Sequence, residues 1–186
     1  MSLVEAILAA VIFVVIATAI LVSMLMGDRA YTLNDAMVHV QEEVRRAFDN
    51  MVPELREGGG IITVTGGNQL EFQLALGYDL ANPCPNDAVC WGAHDSAGAN
   101  QADWRVRYRR NGTQLVRELL NAAGAVQAGT RRLANDVSSL AFTYDAVTHM
   151  VTIQLQIRDT RPQLPGGGVN AATSPLTTQV RMRNAG

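Results

Sequence analysis

Residues 6–26 form an apolar run interrupted only by Thr18 and Ser23, with no Gly, Pro or charge, and Glu5 stands directly before it. About 20 apolar residues are what a helix needs to cross a bilayer. A carboxylate at the edge of such a run is costly in lipid, which marks Glu5 as a functional candidate. The first five residues carry no Lys or Arg. A cleavable secretory signal starts with a basic stretch and closes its apolar run at a small-residue cleavage site. The segment therefore reads as retained, and the chain as one whose N-terminus has already been trimmed.

Gly27, Asp28 and Arg29 end the apolar stretch without ending the helical pattern. Leu33, Met37, Val40, Val44, Phe48, Met51 and Leu55 follow at spacings of 4, 3, 4, 4, 3 and 4 residues. That is one face of an amphipathic helix. The other face carries Asp35, Gln41, Glu42, Arg45, Arg46 and Asp49. Pro53 removes a backbone hydrogen bond and predicts a kink near the end. Gly58, Gly59 and Gly60 then predict termination. A helix over about residues 2–56 spans roughly 80 Å. Its first half is apolar all round, while its second half has one stripe that needs a partner.

From residue 61 the period becomes alternating. Strands are expected at 61–65 and 69–76 around Gly66-Gly67-Asn68, and at 104–110 and 113–120 around Asn111-Gly112, a strong hairpin signal. Further strands are expected at 138–144, 150–158 and 177–183. The stretches 77–103 and 160–174 read as long loops, which are usually functional or mobile. The fold class is α+β: a long N-terminal helix packed through its stripe from Leu33 to Leu55 on a mostly antiparallel sheet of about seven strands. Three parts follow: 1–26 as a transmembrane or polymerisation helix, 27–57 as its amphipathic half, and 58–186 as one globular β domain.

Met1, Glu5, the run 6–26 and the amphipathic continuation to Leu55 together resemble a mature type IV pilin or type II secretion pseudopilin. The resemblance covers about a third of the chain and implies a pilin fold. It implies a leader cut after a Gly by a prepilin peptidase and an N-methylated Met1. It also implies polymerisation through the helix, with Glu5 five residues from the cut. Met1 stands where most members have Phe, and Val22 stands where many major pilins have Pro. Residues 132–144 and the strands 151–158 and 177–184 resemble J-type minor pseudopilins and W-type minor pilins, which favours a minor subunit. Storage in the inner membrane, then a periplasmic or extracellular filament built with other pilins, is what this family implies.

Glu5 also has a physical logic of its own. When such helices bundle, a buried carboxylate costs several kcal/mol unless a cation meets it. The α-amino group of Met1 on a neighbour displaced by a few residues is the available cation. The pair would set register, because wrong staggers leave a charge unpaired. The competing reading is a Glu at the positive end of its own helix dipole, at the membrane surface.

Net charge is −2, so no global basic field points to nucleic acid. Cys84 and Cys90 lie in Asn-Pro-Cys-Pro-Asn-Asp-Ala-Val-Cys-Trp. In an extracytoplasmic domain they read as a disulfide; a metal pair and two free thiols are the alternatives. Arg105, Arg107, Arg109 and Arg117 are expected to form a basic stripe opposite the buried face. It is either a solvated surface or a track for phosphates in DNA uptake. Asp79, Asp87, Asp95 and Asp103 offer oxygen ligands for Ca²⁺ in 77–103, but at no motif spacing. His39, His94 and His149 are scattered. With no Ser-His-Asp set, P-loop or zinc motif, the chain reads as a non-enzyme without cofactor or metal. The runner-up function is a single-pass anchored periplasmic β domain, a sensor or scaffold that does not polymerise.

Overall fold

The computed structural model describes residues 2–78, 84, 87–159, 171–172 and 175–184. One helix, α1 (Leu3–Glu57), runs from the apolar segment into the domain. Ser2 caps it, donating its backbone N–H to Glu5 Oε2 at 2.8 Å and accepting from Glu5 N at 3.3 Å on Oγ. The helix continues past Pro53 to Glu57, and Gly58 follows in extended conformation. Strand β1 (Gly58–Thr65) therefore starts at once. Gly59 is required there, because a Cβ would collide with the Trp91 ring and the carbonyl oxygen of Asn184.

The strands after β1 are β2 (Gln69–Tyr78), β3 (Val89–His94), β4 (Asn100–Ala102), β5 (Arg105–Asn111) and β6 (Gln114–Leu120). Then come β7 (Arg131–Ala134), β8 (Val137–Asp145), β9 (Met150–Asp159), β10 (Ala171–Ala172) and β11 (Leu176–Arg181). They make two sheets rather than the expected one. The larger runs β4-β3-β2-β5-β6-β7, with β1 also on β2; the smaller runs β10-β9-β11, with β8 also on β9. All of these strand pairings are antiparallel. The expected hairpins are present, but the tight turn of the second one is shifted by one residue. Asn111 pairs with Gln114, leaving Gly112 and Thr113 as the turn. Gly112 has φ +60°, which a first turn position of this kind demands. The stretch 77–103 is not simply a loop, since β3 and β4 lie inside it. Most of 160–174 lies outside the described residues.

One core joins helix and sheets. Val40, Val44, Met51 and Leu55 of α1 are buried against Leu70, Phe72, Tyr108, Phe142, Ile153 and Leu155. Fully burying such a side chain is worth about 1.5–3 kcal/mol. The stripe docks less completely than its period implies: Leu33 and Met37 remain 45% and 51% exposed, and burial starts at Ala36. The sheets begin to cover the helix only there. Hydrogen bonds tie the two sheets together, from Phe142 N to the Gly67 carbonyl (2.6 Å) and from Val137 N to the Thr113 carbonyl (2.8 Å).

Candidate functional site

The first half of α1 is the candidate site. Leu3, Val4 and the large apolar residues from Ile7 to Met26 are all exposed. The helix is long and apolar enough to cross a membrane. At 1.5 Å per residue the run 6–26 spans roughly 30 Å, the thickness of a hydrocarbon core. Glu5 is exposed at the head of this surface and closes the capping box with Ser2. Ser2-Leu3-Val4-Glu5 is the S-x-x-E signature of that motif, a signal present in the sequence that its reading missed. One carboxylate oxygen of Glu5 is thus engaged within its own chain. Met1, the expected cation, lies outside the described residues.

The second half of α1 is tied to the domain by polar contacts at Glu43, Asn50 and Glu54. Arg117 grips Glu54 through Nε (2.9 and 3.0 Å) and Nη2 (2.5 Å), and the Tyr108 hydroxyl donates to the same carboxylate. Asn135 donates its backbone N–H and its Nδ2 to Glu43 Oε1, at 2.6 and 2.9 Å. Arg131 donates to Asn50 Oδ1. Neither Glu43 nor Glu54 stood out in the sequence, because each sits beside the apolar stripe and reads as surface. Burial pushes the Tyr108 phenol well above its ordinary value of 10.0, and the Glu54 carboxylate reinforces the shift.

That shift carries a pH dependence. Unfolded Tyr108 ionises near pH 10, whereas the folded phenol stays neutral to higher pH. Its contribution is therefore complete below about pH 10 and is lost as pH rises toward the folded value. The expected slope is up to about 1.4 kcal/mol per pH unit. Urea unfolding of the detergent-solubilised chain between pH 9 and 11 checks it against Tyr108→Phe. Identical alkaline slopes for the two proteins would contradict the assignment.

The expected basic stripe is not one surface. Tyr108 pairs with Arg117, so Arg117 shares the core-side face with Tyr108, while Arg105, Arg107 and Arg109 lie on the opposite face. Those three are engaged in place by two carboxylates. Arg105 and Arg107 reach Glu71 at 3.2 and 3.8 Å, and Arg107 and Arg109 reach Glu118 at 2.5 and 2.8 Å. The hydrogen bond from Arg109 holds the Glu118 carboxyl below its ordinary range despite partial burial. An arginine row enclosed by two glutamates has little field left for a phosphate backbone.

Cys84 and Cys90 are joined by a disulfide, with Cα atoms 5.2 Å apart. The loop is short, so the bond contributes about 2 kcal/mol in the chain-entropy picture. Thiol labelling of the denatured, unreduced protein is expected to modify neither cysteine, and quantitative labelling of both would refute the pairing. Asp95 turns its carboxylate onto its own loop, accepting from Ala97 N, Ala99 N and Gln101 Nε2. Asp79 lies outside the described residues. Among the described residues no three His, Cys, Asp or Glu side chains come together as a metal site.

No protein-family model, curated protein or solved structure matches this chain. The functional reading rests on the residues themselves.

Proposed function

We propose that this chain is a structural subunit of a type IV pilus-like or pseudopilus filament. It is held in the inner membrane by the first half of α1 and polymerises through that same surface, ending in a periplasmic or extracellular filament. The observation that carries the reading is the division of one continuous helix: residues 40–55 bury a stripe in their own domain, while 3–26 expose apolar side chains on every side. An apolar surface of that extent requires lipid or other copies of itself. In this reading Glu5 is the carboxylate that meets a neighbour's Met1 amine. Residues 132–144 and the closing strands favour a minor subunit over a major pilin.

One observation favours the anchored, non-polymerising alternative. The capping box gives Glu5 a purely local role, with no need of a neighbour. The two readings separate at the N-terminus. The filament reading expects Met1 to be exposed by cleavage after a Gly and to carry an N-methyl group. Intact-protein mass of the chain purified from its membrane tests this. A formylated or unmodified initiator Met would refute it.

A further inference from the structure

A concavity of about 610 Å³ lies between the end of α1 and residues 179–183, and Arg56, His149, Arg181 and Arg183 line it together with Gln179, Val180 and Met182. Val180 and Met182 are buried, while Arg181 at the end of β11 and Arg183 just beyond it are exposed. Backbone hydrogen bonds fix the cluster: Arg183 N donates to the Arg56 carbonyl and Met182 N to the His149 carbonyl, both at 3.0 Å. Among the described residues, none of the three arginines has an ion-pair partner. They differ in this from Arg105, Arg107, Arg109 and Arg117, which are all paired. Asp145, at the base of the adjoining turn, is committed to Val147 N (2.9 Å) and Thr148 Oγ1 (2.6 Å). Glu57 follows Arg56 on the exposed helix end.

The complementary charge lies on the helix itself. Asp28, Asp35, Glu42 and Asp49 recur every seven residues and are all exposed. Seven residues fall only about 20° short of two turns, so these acids form one row. Arg56 is the next position of the row, where its sign reverses. Arg45 and Arg46 stand within a turn of Glu42 and Asp49, whereas Asp28 and Asp35 have no Arg three or four residues away. Around this upper pair Tyr31 is 80% exposed, and Met37 and Val38 are exposed too. Val147, on the turn beside the arginine cluster, is 88% exposed. Among the described residues neither Asp28 nor Asp35 forms an ion pair, so both surfaces combine open charge with apolar contact area.

We propose that Arg56, Arg181 and Arg183 of one copy receive the carboxylates of Asp28 and Asp35 of a second copy. The proposal rests on the filament reading in its homo-oligomeric form, in which this chain repeats along the filament and supplies parallel copies displaced along α1. Asp35 and Asp28 lie 21 and 28 residues before Arg56, so the contact joins copies displaced by roughly 30–40 Å. It is distinct from a Met1–Glu5 contact, which joins copies displaced by a few residues. The two contacts would fix the filament at two separate levels.

Charge reversal in the full-length chain tests this, read as the ratio of subunit in sheared filaments to subunit in the membrane. Arg56→Glu with Arg181→Glu, and separately Asp28→Arg with Asp35→Arg, are each expected to lower incorporation on the order of tenfold or more, because like charges then meet. The fourfold variant restores opposite charge and is expected within about threefold of wild type. A second measurement does not depend on the reversed charges: Asp35→Cys in one tagged copy and Arg181→Cys in another should give disulfide-linked dimers in filaments. Filaments that form normally with either reversed pair, a fourfold variant as defective as its parents, or assembled filaments without the cross-link would overturn the contact and leave the filament reading standing. A wild-type chain that never enters filaments would overturn both.

Discussion

Glu54→Ala is expected to destabilise the domain by about 3–5 kcal/mol, the cost of leaving one member of a mostly buried ion pair without its partner. Arg117 and Glu54 have side chains only 17% and 18% exposed, and the Tyr108 hydroxyl loses its acceptor in the same step. A domain of this size is worth about 5–15 kcal/mol in all. The loss should appear as a fall of roughly 10–20 °C in the thermal midpoint. Replacing both charges, as Glu54→Leu with Arg117→Met, is expected to recover part of it, since no buried charge is then left unpaired while the Tyr108 hydroxyl stays without its acceptor. Circular dichroism melts of the detergent-solubilised variants measure this. A Glu54→Ala protein within 1 °C of wild type would mean that the Glu54–Arg117 pair does not help to hold α1.

The helix and its division into two halves could be read from the sequence because both are short-range patterns. The run 6–26 has no polar face, and the apolar spacing of 3 and 4 beyond it fixes one. The hairpins were legible because Gly66, Gly67 and Gly112 punctuate them. What local pattern does not encode is which strands neighbour which. The split into two sheets, and the addition of β3, β4 and β7, follow from long-range pairing such as Ala75 with Trp91 and Val116 with Arg132. Likewise, no periodicity says where the domain ends along α1, so Leu33 and Met37 were assigned to a contact that begins only at Ala36.

The arginine stripe is a different case, because its correction was present in the sequence. In any two-residue hairpin centred on Asn111, Gly112 or Thr113, Arg117 pairs with Val106 or Tyr108 and never with an outward arginine. Pairing parity alone places it on the core face. With the turn at Gly112 and Thr113, Glu118 falls opposite Arg107 and offsets part of the charge of the row. Glu54 was hidden for the complementary reason. A carboxylate flanking an apolar stripe reads as solvated until the opposing sheet supplies Arg117.

Glu5 decides between the two functional readings, and its two possible roles respond differently to substitution. As a register residue it needs its charge, to meet a neighbour's ammonium in an apolar bundle. As a capping residue it needs only an acceptor for the Ser2 N–H, and Gln serves that role as well as Glu. Membrane insertion should survive either change, because the run 6–26 is intact. The domain should also be unaffected, since residue 5 lies roughly 50 Å along α1 from the first buried stripe residue at 40. Glu5→Ala leaves the neighbour's amine unpaired at a cost of about 3–5 kcal/mol, which lowers incorporation at least about a hundredfold at equilibrium.

The most direct measurement is the amount of wild-type, Glu5→Ala and Glu5→Gln protein in sheared filaments, relative to each protein's level in the inner membrane. The filament reading predicts wild-type protein in the filament fraction, near-complete loss for Glu5→Ala, and a milder but clear defect for Glu5→Gln. Wild-type incorporation of both variants, or no filament fraction for the wild type itself, would contradict it.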